Sequence, residues 1–160
     1  MRRCLSIVLL CSLLICGCGS AEAVTFDGVG DSFSTLMTAA GYEVTNDKES
    51  VEGSFGLNRI EIAVYGSEHQ VEMYYLNDSS IATKYYADFC TVYNRKTETE
   101  TSESVFESSY SSYRMEDNGT VYRIVRFDNK VLAAAVSVDY EDELEKIIER
   151  LGEIYGEITN

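Results

Sequence analysis

The hydrophobic positions of this chain switch between helical and strand periods, and each switch marks an element. Phe33, Leu36, Met37 and Ala40 share one face at spacings of three and four, predicting a helix over residues 32–40. Asp31 is placed to cap its start and Gly41 to end it in the left-handed region. Residues 42–45 alternate as a short strand, and a polar loop runs on through Gly53. Residues 59–65 alternate with Ile60, Ile62 and Val64 on one face. After a four-residue turn at 66–69 the alternation resumes through Val71, Met73 and Tyr75, which predicts a hairpin. On this reading His69 is a solvated turn residue. Asn77-Asp78-Ser79 then offers an N-cap to a helix over residues 79–91, striped by Ile81, Ala82, Tyr85, Tyr86 and Phe89.

Residues 96–112 are rich in Ser, Thr and Glu and read as a mobile loop whose second half can join a sheet. A strand near 105–116 meets Asn118-Gly119, the strongest hairpin turn in the chain, and continues as a strand over 120–127. Beyond a turn at 128–130, residues 131–138 are almost wholly apolar, as expected at the centre of a sheet. The last helix carries acid at its positive end, in Asp139-Tyr140-Glu141-Asp142-Glu143. Its stripe is Leu144, Ile148, Leu151, Tyr155 and Ile158, with Ile147 and Ile154 beside it. The order is α-βββ-α-βββ-α, with the hairpin and helix of 59–91 mirrored by those of 120–155.

The expected architecture is therefore α+β: a pseudo-duplicated, twisted antiparallel sheet with its helices on one face. A two-residue period then places Ile60, Ile62, Val64, Val71 and Met73 toward the helices. In the second hairpin each face carries an arginine, Arg123 beside Val121 and Val125 or Arg126 beside Tyr122 and Ile124. The period leaves both arrangements open, and the number of apolar residues turns Val121, Val125 and Phe127 inward. Glu61, Tyr65, Glu72, Tyr74, Tyr122 and Arg126 fall on the opposite, open face. Exposed tyrosines give rigid contact area at low entropic cost, so Tyr65, Tyr74, Tyr122 and Arg126 are the candidate ligand-binding residues.

Composition adds an address. The chain of 160 residues is long enough for one domain. It opens with basic Met1-Arg2-Arg3 and an apolar run over 4–15, shorter than the roughly 20 residues a spanning helix needs. The run ends in Ile15-Cys16-Gly17-Cys18, which resembles the lipobox of bacterial lipoproteins. That resemblance implies that Cys18 is lipidated and becomes the mature N-terminus. The division it suggests is a signal peptide over 1–17, a lipidated cysteine and tether over 18–25, and a single α+β domain over 26–160. The protein would then be held at the cell membrane by its lipid, facing outside. Cleavage would leave Cys90 as the one thiol besides Cys18, enough for neither a disulfide framework nor a thiolate metal site.

The formal charge is −14. Losing Arg2 and Arg3 from 13 basic residues leaves 11 against 27 acids, or −16 on the side chains. Nucleic acid would be repelled by such a chain.

Motifs for chemistry are sparse. Gly30-Asp31-Ser32-Phe33 resembles the GDS block of the GDSL lipases and esterases, but the Asp-x-x-His that activates their serine has no counterpart here. A helix cap explains the block. One histidine and one free cysteine cannot build a transition-metal site, and no cofactor is expected. The lipobox, the run Ala40-Gly41-Tyr42-Glu43-Val44 and the stretch Ile124-Val125-Arg126-Phe127-Asp128-Asn129-Lys130-Val131-Leu132 together resemble small lipoproteins of clostridial-type Firmicutes. That resemblance implies an Arg-x-x-Asn hairpin before a final helix, and it implies no activity. The expected function is a non-enzymatic, membrane-anchored binding module for a protein or glycan, or for a second copy of the chain. The alternatives are a protein inhibitor and a small carboxylate-dependent glycan-cleaving enzyme.

Overall fold

A computed structural model describes residues 30–47, 51–52, 54–67, 69–94, 102–106 and 109–156. The expected signal segment, Cys18, the tether, residues 96–101 and Ile158 lie outside the described residues.

Helix α1 spans Phe33–Ala39. Its cap is Ser32, whose Oγ accepts from the Thr35 N–H at 3.2 Å; Asp31, the expected cap, instead pairs with Arg150 at 2.9 Å. Gly41, at φ +87°, ends the helix as its position predicts. Its N–H donates to the Thr38 carbonyl and the Tyr42 N–H to that of Met37, two bonds that only a left-handed residue allows together. The chain continues as β1 (Glu43–Asn46), β2 (Leu57–Tyr65), β3 (His69–Leu76) and α2 (Ser79–Asn94). Then follow β4 (Ser102–Phe106), β5 (Tyr110–Asp117), β6 (Thr120–Phe127), β7 (Lys130–Ser137), a 3₁₀ turn (Val138–Tyr140) and α3 (Glu141–Tyr155). The strand expected near 105–116 is thus two strands, so the second run of strands has one more member than the first. Asn118 and Gly119 both take positive φ, +50° and +77°, as a two-residue hairpin turn requires.

The fold is α+β. Its seven strands form one antiparallel sheet in the order β1-β2-β3-β7-β6-β5-β4. The last strand pairs with β3, so β7 sits mid-sheet, as its apolar run predicts.

The helices, however, occupy both faces, which corrects the one-faced expectation. Phe33, Leu36 and Met37 of α1 and Leu144, Ile147 and Leu151 of α3 pack with Val71, Met73, Val125 and Leu132. On the other side Ile81, Ala82 and Tyr86 of α2 pack with Ile60, Leu76, Ile124 and Val131. The physical reason is written in β7. Val131 and Leu132 point to opposite faces and both are fully buried, so each face needs its own cover. The connection from β3 to β4 supplies it, because α2 contacts β7 and β6 on its way to the far edge. The face expected to be open lies beneath α2.

The first hairpin brings a second correction. His69 is a strand residue that pairs with Tyr65, so the connection has three residues and not four. One residue fewer flips one strand relative to the other. Glu61 and Ala63 therefore lie opposite Met73 and Val71 on the α1/α3 face, while Ile60 and Ile62 lie opposite Tyr74 and Glu72 on the α2 face. The second hairpin follows expectation, with Val121, Val125 and Phe127 buried on the α1/α3 face.

Two arginines dock α3. Arg114 on β5 grips Glu141 through Nε (2.5 Å) and Nη2 (2.7 Å). Arg123 on β6 reaches Glu145 through Nε (2.6 Å) and Nη2 (3.0 Å) and also donates to Ser112 Oγ. Glu141 and Glu145 are four apart, hence on one helix face, and the two forks fix its register on the sheet.

Candidate functional site

Across β3, β7 and β6 the antiparallel register aligns side chains in rows on the α2 face. One row is Tyr74, Val131 and Arg126; the next is Glu72, Ala133 and Ile124; the third is Gln70, Ala135 and Tyr122. The first row is filled by large side chains and lies in the α2 cluster. The other two are centred on alanines. A methyl group between longer neighbours leaves a trough, and Tyr93, near the end of α2, closes over it to stand 5.0 Å from the Tyr122 ring. The result is a cavity of about 230 Å³ bounded by Gln70, Glu72, Tyr93, Tyr122 and the β7 segment Ala133, Ala134 and Ala135. That is below the roughly 300 Å³ at which typical ligand pockets begin, so its occupant must be small.

The chemistry of the cavity centres on Glu72, a half-buried carboxylate. Gln70 Nε2 donates to one of its oxygens at 2.5 Å, and the Tyr74 hydroxyl donates to the other. Both are neutral donors. Burial, then the bond to Glu72, pushes the Tyr74 phenol far above its ordinary range. Burial, then the Glu72 charge, raises Tyr93 as well. Both phenols remain protonated at neutral pH, so the cavity presents one negative charge among neutral rings and methyl groups.

The four residues expected to bind ligand do not form one site. Tyr74 and Tyr122 do share the α2 face, Tyr122 lining the cavity and Tyr74 supporting Glu72 from beside Phe89 (ring centroids 5.0 Å). Tyr65 lies on the other face, 42% exposed, in a ring cluster with Tyr42 (5.6 Å), His69 (5.7 Å) and Tyr140 (6.0 Å). Arg126 is only 2% exposed; its Nη2 donates to Ser111 Oγ at 3.0 Å beneath α2. It is core architecture and has no surface to offer a ligand. His69, expected in solvent, is 5% exposed, with its ring edge-on to Tyr140 at 4.1 Å.

Of the polar lining residues, Gln70 and Tyr93 escape the sequence reading, which places Glu72 on the right face but not among the ligand residues. The signal that could have found them is the run Ala133-Ala134-Ala135 in a central strand. Alanine is depleted in strands because it packs poorly on a pleated surface. One face of that run, Ala134, is sealed by the α1/α3 core, and the other, Ala133 and Ala135, floors the cavity.

Further cavities lie elsewhere among the described residues. One, of about 320 Å³, lies by Asn46, Asp47, Val51 and Arg59, and another, of about 350 Å³, lies between α3 and Tyr110. The second holds Glu145 and Glu149, but the Glu145 carboxylate is engaged by Arg123. Among the described residues, no group of three His, Cys, Asp or Glu side chains could hold a metal, and no helix is long and apolar enough to cross a membrane.

No protein-family model and no curated protein matches the chain. Among solved structures, a GTP binding regulator from Thermotoga maritima superposes with a TM-score of 0.45 at 10% identity, over 78% of this chain and 85% of that one. A likeness of that size carries no argument about fold or function.

Proposed function

We propose that this chain is a membrane-tethered binding module, held outside the cell by lipid on Cys18, with the cavity beneath the end of α2 as its ligand site. The anchor rests on the basic start, the short apolar run and the Ile15-Cys16-Gly17-Cys18 box. Two or more acyl chains give stable attachment where one is marginal. The single observation that carries the binding site is the alanine-floored cavity with one carboxylate and two tyrosines on its wall. A cavity of about 230 Å³ takes a small molecule, or the terminal group of a larger protein or glycan partner. Glycan cleavage would need two carboxyl groups about 5–10 Å apart, and among the described residues one acid, Glu72, lines the site.

Alanine-methyl NMR of the full chain against a panel of small polar compounds tests the site. Binders should shift the Ala133 and Ala135 methyls and spare Ala63, which faces the α1/α3 core. If no compound moves the two floor methyls, the reading is wrong. For the anchor, cells fed labelled fatty acid should label the wild type and not Cys18→Ser. Label on that variant would refute lipidation at Cys18.

A further inference from the structure

We propose that the cavity recognises an alkylammonium group, a protonated amine on a short apolar stem; this rests on the reading of the cavity as the ligand site. The polarity of its walls selects the charge. A carboxylate has about four lone-pair sites, and among the described residues the donors to Glu72 are two neutral groups, Gln70 and Tyr74, one on each oxygen. Among the described residues, no Lys, Arg or His side chain comes within ion-pair distance of it. A half-buried carboxylate with neutral donors alone is incompletely compensated, and a cation beside it completes the set.

The walls favour the same class of ligand. Tyr93 and Tyr122 line the cavity with ring centroids 5.0 Å apart and planes 42° apart, and tyrosine rings attract a cation through their negative π faces. The Ala133 and Ala135 methyls form an apolar floor that suits a short alkyl stem and offers no hydrogen bond to a polar one. Among the described residues no basic side chain lines the cavity, so an anion, or the carboxylate of an amino-acid zwitterion, would meet only the Glu72 charge of that lining. The chain's charge of −14 concentrates cations around it.

The test is an alanine-methyl NMR titration of the full chain in non-ionic detergent with n-butylammonium, n-butanol, butyrate and γ-aminobutyrate. Butylammonium should shift the Ala133 and Ala135 methyls saturably and bind about tenfold more tightly than butanol. The other two should bind more weakly still. Glu72→Gln should remove most of the advantage of butylammonium over butanol, and Tyr93→Leu should weaken butylammonium several-fold; should Glu72→Gln fail to fold, the four wild-type titrations and Tyr93→Leu decide. Butanol or butyrate matching butylammonium at these methyls would overturn the ammonium assignment and leave the cavity a ligand site. If none of the four moves them up to its solubility limit, both the assignment and the site fall.

Discussion

The two faces of the sheet are built from the same strands but to different ends. The α1/α3 face carries two helices and is closed mainly by aliphatic side chains, with Phe33, Phe127 and Tyr42 among them, and Arg114 and Arg123 clamp α3 to the sheet. The α2 face carries one helix, held at its start by the Asp78 cap and at its end by the Tyr113 hydroxyl, which donates to Asn94 Oδ1 at 2.7 Å. Its packing is aromatic, through Tyr74, Tyr85, Tyr86, Phe89, Tyr93 and Tyr122. Rings are large and stiff, and they leave gaps where a small residue lies opposite. The α1/α3 side is filled over its central strand, with its cavity lying out between α3 and Tyr110, while the α2 side leaves room over the central strand beside a half-buried charge. Stability and binding can then be perturbed separately, and that separation can be tested.

The largest effect should come from the closed face. Leu151 is fully buried between α3 and the sheet. Truncating such a leucine to alanine removes transfer energy and leaves a cavity, and typically costs about 2–5 kcal/mol. Leu151→Ala should lower the urea midpoint by a corresponding amount. A wild-type midpoint would show that α3 is peripheral and that the closed face does not carry the fold.

A smaller loss is expected where α2 begins. Gly56, at φ +74°, accepts from the Asn77 N–H through its carbonyl at 2.9 Å, and a Cβ there would stand 2.5 Å from Ile81 Cδ1. Gly56→Ala combines a strained backbone with a clash that Ile81 can relieve only by turning in its pocket. A cost of about 1–3 kcal/mol follows. If thermal melting of the variant matched the wild type, α2 would be shown to ride loosely on the sheet.

These positions also mark where the sequence is readable. The α3 stripe and the central place of β7 follow from periodicity, because burial on one side or on both leaves a direct trace in the residue pattern. The pairing within the first hairpin does not. Tyr65 and His69 are compatible with a turn of three residues or of four, and that difference of one decides which side Ile60, Ile62, Glu61 and Glu72 occupy. The side taken by α2 was legible in principle, since β7 is apolar on both faces and a one-sided cover cannot bury it. The cavity was hidden because its floor is defined by what alanine lacks. Glu72 reads as an ordinary outward residue of an alternating strand until the register sets it beside Ala133.

Acid should affect the closed face through α3. The Arg114 guanidinium holds the Glu141 carboxyl below its ordinary value of 4.5. A carboxyl depressed on folding contributes stability above its unfolded pKa, and that contribution is lost as pH falls through the folded value. Glu141→Gln lacks this contribution. The stability gap between wild type and Glu141→Gln should therefore be largest near neutrality and shrink once pH drops below about 4.5, the ordinary value. Urea titrations from neutral to acid pH would read it, and a gap independent of pH would show that the fork is immaterial to the docking of α3.

The smallest expected change comes from the most direct comparison of the two faces, made with neighbouring residues. Ala134 points into the closed face, 2% exposed, opposite Val71 and Arg123. Ala135 points to the α2 face between Gln70 and Tyr122, at the cavity floor. Both are alanines in the middle strand, so their substitution to leucine makes the same change in volume and in strand propensity. In the closed face the added atoms must displace packed neighbours, and overpacking of that kind costs about 1–3 kcal/mol. Over the cavity they enter space that already exists, so Ala135→Leu should stay within about 0.5 kcal/mol of wild type, as changes away from tight packing usually do. Its effect should appear in binding, because the leucine side chain occupies the place proposed for the ligand stem. Equal losses of stability at the two positions would mean that the α2 face is as tightly filled as the other, and with that the distinction between a closed and a hollow face would fail.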